Sequence, residues 1–133
     1  MTDAPLKYVL RDMGPAAREF YDRLASGSLA TTWCGSCGRP FFPPRRRCPQ
    51  CGGAIAWREL SRTGSVYAFT QQERGLRFTA PDVIGVAELD DGVRVFGVFG
   101  EPFERLAIGA PVEVELRPDE AGLTLLVFRL REP

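Results

Sequence analysis

Four cysteines fall in one window of this 133-residue chain, as Cys34-x2-Cys37 and, after ten intervening residues, Cys48-x2-Cys51. A CxxC pair turns two thiolates toward one ion, and two such pairs complete a tetrahedral sulfur site. Gly38 and Gly52 each follow the second cysteine of a pair, where knuckle turns often require a positive φ. The window from 34 to 53, CGSCGRPFFPPRRRCPQCGG, has almost no periodic apolar pattern, so a metal or a cross-link rather than a core must hold it. Four protein ligands leave Zn²⁺ no open position, which points to a structural ion and away from a Lewis acid. Rubredoxin-type iron uses the same tetrathiolate geometry, so the ligands alone do not choose the metal. Two disulfides suit a secreted chain better than this one, whose N-terminus, MTDAPLKYVLRDMG, is broken by charge.

The remaining chemistry is sparse. With no histidine, this chain alone cannot build a Ser-His-Asp triad, a Cys-His pair or an imidazole proton shuttle. No run approaches 18 apolar residues, so a soluble, cytoplasmic protein without a membrane span is expected. The formal net charge is +0, but it is divided. Residues 34–63 hold six arginines against Glu59 alone, whereas residues 64–133 hold seven arginines against twelve acids. Phosphate binding needs a positive surface, and only the middle third offers one.

The elements that must position the cysteines follow from pattern. Residues 14–27, GPAAREFYDRLASG, predict a short helix: Pro15 suits the first turn, Phe20 and Leu24 stand at i and i+4, and Gly27 suits C′. A helix this short is marginal alone and must dock on this chain or on a partner. Five runs rich in Val, Phe, Ile and Leu, at 64–70, 83–89, 93–100, 111–117 and 123–130, predict strands. Asp90-Asp91-Gly92 and Asp119-Glu120-Ala121-Gly122 signal two hairpins, and a helical turn is expected near Pro102–Leu106. Phe69, Phe96, Phe99 and Phe128 lie in these runs and are expected in the core, while Glu113 and Glu115 alternate with valines on an outer face. The fold class expected is mainly β: an N-terminal helical segment (1–33), a rubredoxin-like zinc ribbon (34–63) and a five-stranded OB-type Greek-key barrel (64–133), with a half sandwich as the alternative for the last.

The window from Cys34 to Gly52 matches C-x2-C-G-x3-F-P-P-R-x2-C-P-x-C-G throughout, including Phe42-Pro43-Pro44-Arg45. In this it resembles the two-domain zinc-ribbon plus OB-fold family, a domain of unknown function associated with acyl-CoA enzymes. The helix running into Leu24-Ala25-Ser26-Gly27-Ser28-Leu29, the hairpin around Asp90-Asp91-Gly92 and the turn Ile108-Gly109-Ala110-Pro111-Val112 also look like that family. The resemblance implies a non-catalytic accessory subunit beside a thiolase, a hydroxymethylglutaryl-CoA synthase or a hotdog-fold hydratase, helping to hold acyl-CoA.

On that reading the metal ligands are Cys34, Cys37, Cys48 and Cys51, and the candidate contacts to CoA phosphates are Arg45, Arg46 and Arg47, whose guanidinium groups can pair bidentately with phosphate oxygens. Compensation of the cluster's negative charge is the competing role for these arginines. Arg74, Arg77 and Phe78, in the long connection 71–82, are candidates for meeting the ligand or the partner enzyme. Phe41 and Phe42 either pack ribbon against barrel or join an interface. The alternative function is a nucleic-acid-binding module, which an acidic barrel disfavours because strand-tracking OB surfaces are basic.

Overall fold

The computed structural model describes residues 14–72, 82–118 and 123–132. Helix α1 (Pro15–Ala25) has Pro15 in its first turn and stops at Ser26, with Gly27 beyond at φ 95°. Its one apolar stripe, Phe20 and Leu24, is buried, and the helix docks within this chain, on strands β1 (Ala30–Cys34) and β8 (Thr124–Leu130). No helix among the described residues is long and apolar enough to cross a membrane.

The first sheet has the order β2-β1-β3, with β2 at Arg39–Phe41 and β3 at Ile55–Glu59. Both neighbours run antiparallel to β1, so Cys34 stands opposite Arg39 on one side and Ile55 on the other. Buried Thr31 donates its hydroxyl to the Phe41 carbonyl at 2.8 Å, and buried Thr32 accepts the Arg45 N–H at 3.1 Å. Those two bonds fasten the turn Phe42-Pro43-Pro44 to the sheet.

The remaining strands are β4 (Thr63–Gln72), β5 (Asp82–Leu89), β6 (Arg94–Phe99) and β7 (Pro111–Pro118), which close with β8 into a barrel of order β4-β5-β6-β8-β7. All pairs are antiparallel except β6 with β8, where Val98 faces Val127 and Phe99 faces Phe128. This is the closed OB-type barrel, not the half sandwich. A 3₁₀ turn at Phe103–Arg105 lies between β6 and β7, where the helical turn is expected. The core runs through Val66, Ala87, Leu89, Val95, Val112 and Phe128 and continues into Phe20 and Leu24 of α1. Closure also needs a bare position: β4 bulges between Val66 and Ala68, and a Cβ on Gly85 in β5 would lie 2.1 Å from the Ala68 carbonyl oxygen.

The two sheets are tied at residues 60–63. Leu60 N–H donates to the Leu29 carbonyl and Ser61 N–H to the Asp91 carboxylate, at 2.8 and 2.7 Å. Arg62 donates to the Gly27 carbonyl and the Thr63 hydroxyl to Asp90. The hairpin turn Asp90-Asp91-Gly92 therefore does more than reverse the chain; its two carboxylates anchor the passage from ribbon to barrel.

One expectation fails. Phe96 is not core: it is 58% exposed, on the outer face of β6, while Val95 and Phe99 point inward. Phe99 and Phe128 are buried, with ring centroids 5.1 Å apart, and Phe69 is half-buried against Phe99 and Phe103. The expected hairpin at 119–122 lies outside the described residues.

Candidate functional site

Cys34 is the last residue of β1, so the strand delivers its sulfur to one end of the small sheet. The chain then turns: Gly38 N–H donates to the Cys34 carbonyl at 2.8 Å with Gly38 at φ 73°, and Gly52 N–H donates to the Cys48 carbonyl at 2.9 Å with Gly52 at φ 70°. The two turns are near copies. A side chain at either glycine would sit in the left-handed region that strains L residues, which is why both knuckles end on glycine.

The turns bring four sulfurs together, all within 4.8 Å of one another. Cys34 and Cys51 Sγ are 3.6 Å apart, and Cys37 and Cys48 Sγ 3.7 Å. A disulfide would hold them at about 2.05 Å, and all four cysteines are free. Sulfurs about 2.3 Å from a central Zn²⁺ define a tetrahedron with edges of about 3.8 Å, which these separations meet. Backbone N–H groups of Cys37, Gln50 and Gly53 point at the sulfurs of Cys34, Cys48 and Cys51, each at 3.4 Å, and so offset thiolate charge. Cys34 and Cys48 are buried, Cys37 half-buried and Cys51 exposed.

The metal-free thiols are unequal. Cys37 is pushed up to about 12, chiefly by its hydrogen bond with the Cys48 thiol and then by those with Cys51 and Cys34. Cys48 is pulled down to about 6, chiefly by the Cys51 backbone N–H, with burial opposing and the Gln50 N–H assisting. The donor set, the spacing and the N–H···S bonds all suit a structural zinc.

Arg45, Arg46 and Arg47 are exposed on the segment between the knuckles. Arg47 donates to the Gly52 carbonyl at 3.2 Å, which sets one guanidinium beside the second knuckle. Arg58 of β3 stacks over Trp33 at 4.1 Å and Arg23 of α1 over Trp57 at 4.7 Å, so two arginines, one from the ribbon and one from the helix, cover the tryptophans of the small sheet. Arg74, Arg77 and Phe78 lie outside the described residues.

Phe42 packs against Phe20, ring centroids 5.3 Å apart, and so joins ribbon to helix. Beside this contact lies a cavity of about 420 Å³ whose walls come from α1, from the turn Phe42-Pro43-Pro44 and from β4, β5, β6 and β8. Phe96 lines it, together with Ala17, Ile84, Val98 and Leu126. Sequence reasoning missed this space. The available signal was alternation along β6, which puts Phe96 on the same face as Arg94.

Comparison with known proteins matches both parts of the chain. The family model described as the rubredoxin-like zinc ribbon domain of ChsH2 matches residues 22–57, and that described as the C-terminal OB-fold domain of ChsH2 matches residues 57–117. A DUF35 domain-containing scaffold protein of Methanocaldococcus jannaschii is 33% identical over 119 residues, covering 84% of this chain and 83% of that protein. Another, from Methanothermobacter thermautotrophicus, is 30% identical over 97 residues, covering 68% and 72%. Among solved structures, a chain of the Ltp2-ChsH2(DUF35) aldolase superposes with a TM-score of 0.82 at 26% identity, covering 90% of this chain and 97% of that one. A DUF35-family protein of unknown function from Sulfolobus solfataricus shares the fold, with a TM-score of 0.63 at 19% identity over 96% of this chain and 97% of that one.

Proposed function

The chain belongs to the DUF35 family of zinc-ribbon and OB-fold proteins, and from that premise we propose that it is an accessory, scaffolding subunit of an enzyme acting on acyl-CoA thioesters. The observation that carries this reading is the likeness, over 90% of the chain, to a chain of the Ltp2-ChsH2(DUF35) aldolase. The curated relatives named as scaffold proteins point the same way. The chain's own chemistry agrees: it has no histidine, and its four thiols converge on one another.

In this proposal Cys34, Cys37, Cys48 and Cys51 hold Zn²⁺, which cross-links the ribbon and leaves no coordination position for substrate. The ribbon fixes the turn Phe42-Pro43-Pro44 and, beyond it, presents Arg45, Arg46 and Arg47 to solvent. Exposed guanidinium groups in a row suit the phosphates of CoA, each able to make paired N–H···O bonds. The partner is a catalytic acyl-CoA enzyme subunit, thiolase-like or a hotdog-fold hydratase. Tyr67, 44% exposed beneath the Arg94 guanidinium at 4.0 Å, and exposed Phe103 and Ile108 give the barrel the aromatic, apolar and Arg-bearing surface typical of interface cores.

Isolation of the native complex through this chain, followed by identification of the second polypeptide, tests the reading. An acyl-CoA enzyme recovered in fixed ratio is the expected result. A chain that elutes as a lone monomer, with no partner at any salt concentration, refutes it.

A further inference from the structure

We propose that the cavity between α1, the Phe42-Pro43-Pro44 turn and the barrel is a binding site for the hydrocarbon chain of an acyl thioester. The inference rests on the accessory-subunit reading above and adds to it the place where this chain holds the acyl group.

Three observations converge. First, the space is built by parts far apart in sequence: Ala17 and Phe20 of the helix, Phe42 to Pro44 of the ribbon, and Ile84, Phe96 and Leu126 of three barrel strands. At about 420 Å³ it falls at the smaller end of the roughly 300–1,000 Å³ range of small-molecule sites. Second, its walls are almost wholly apolar. Among the described lining residues Tyr21, Gln72 and Thr124 are the ones with polar side chains, so these walls offer an alkyl chain dispersion contacts along their length and offer a charged group little. Phe96 is an aromatic ring left 58% exposed on a strand whose other ring, Phe99, is inside, and an alkyl chain in the cavity would cover part of it. Third, the chain that forms the cavity wall runs directly into cationic residues. Pro44 lines the cavity, and the next three residues are Arg45, Arg46 and Arg47, all exposed. An apolar chain attached to a polyphosphate head satisfies both features at once; a neutral hydrocarbon uses only the first.

The test is direct binding to the full, zinc-loaded chain without any partner, by calorimetry with acetyl-CoA, hexanoyl-CoA and decanoyl-CoA, and with decanoate. Affinity is expected to rise with chain length, approaching about fourfold per added methylene until the cavity is filled. Ala17→Phe, at a half-buried helix position that lines the cavity one turn before Phe20, should abolish that dependence, and Phe96→Ala should weaken it. Glu113→Gln, on the exposed face of β7 outside the cavity, should leave it intact. Arg45→Gln with Arg46→Gln should weaken all three CoA esters together and leave decanoate unchanged.

Equal affinity for acetyl-CoA and decanoyl-CoA overturns the proposal, as does a chain-length dependence that survives Ala17→Phe in a protein with an unaltered circular dichroism spectrum. Decanoate binding as tightly as decanoyl-CoA overturns the thioester assignment. None of these results depends on the partner. A flat series beside a recovered acyl-CoA enzyme sinks the cavity alone, and a steep series beside a lone monomer sinks the accessory reading alone.

Discussion

Removing the metal should unfold one part of this molecule and leave the other standing. Between residues 35 and 53, Cys48 is the one residue that is buried. Fixing a residue's backbone costs about 1–2 kcal/mol in conformational entropy, and that segment has almost no buried apolar surface to offset it. Structural zinc in comparable thiolate sites contributes about 10–16 kcal/mol at neutral pH, as much as the whole stability of a typical domain. The barrel has its own closed sheet and its own core around Val66, Leu89, Val95 and Phe128. Chelation, or Cys48→Ser, should therefore expose residues 35–53 to hydrogen exchange and proteolysis, free the thiols to titration (four after chelation, the remaining three in the variant) and leave the signal of strands β4 to β8 largely in place. The helix should loosen too, because Phe20 leans on Phe42, which the ribbon holds. A chelated protein that keeps its exchange protection through 35–53 would show that the metal does not hold the ribbon.

Other consequences follow from the same geometry. Phe96→Ser should change stability by no more than about 0.5 kcal/mol, whereas Phe128→Ala, at a fully buried ring, should cost about 3–5 kcal/mol in urea denaturation. Gly85→Ala places a methyl 2.1 Å from the Ala68 carbonyl oxygen, so β4 and β5 must separate; loss of a cooperative thermal transition is expected, and wild-type melting would contradict the close approach. Zinc affinity should fall as pH falls, because the ion takes thiolates and protons compete for them. Metal-free Cys37, held up at about 12, keeps its proton at neutral pH, so zinc uptake there must release acid; an unbuffered solution whose pH does not drop on zinc addition would contradict this.

What was legible in the sequence is what depends on neighbours in the chain. The sulfur cage was legible because each CxxC with its glycine is a local turn, and two local turns need only meet. The strands were legible because alternation and the Asp90-Asp91-Gly92 turn are local too. At Phe96 residue type misleads: a phenylalanine in a strand suggests an inward position, although Arg94 two residues earlier marks that face as outward. The cavity was not legible at all. Its walls are separated by more than a hundred residues, from Ala17 to Leu126, and only the docking of helix, ribbon and barrel creates it. The clamp of Asp90 and Asp91 on residues 61–63 is of the same kind, since the turn signal explains the residues fully before their second role appears.

An accessory subunit leaves the chemistry to its partner. Acyl-CoA turnover should be measured for the isolated zinc-loaded chain, for the copurified enzyme stripped of it, and for the two recombined. An accessory role predicts no turnover by the chain alone and a faster reaction for the pair than for the stripped enzyme. Turnover by the chain alone, or a stripped enzyme that loses nothing, would contradict it.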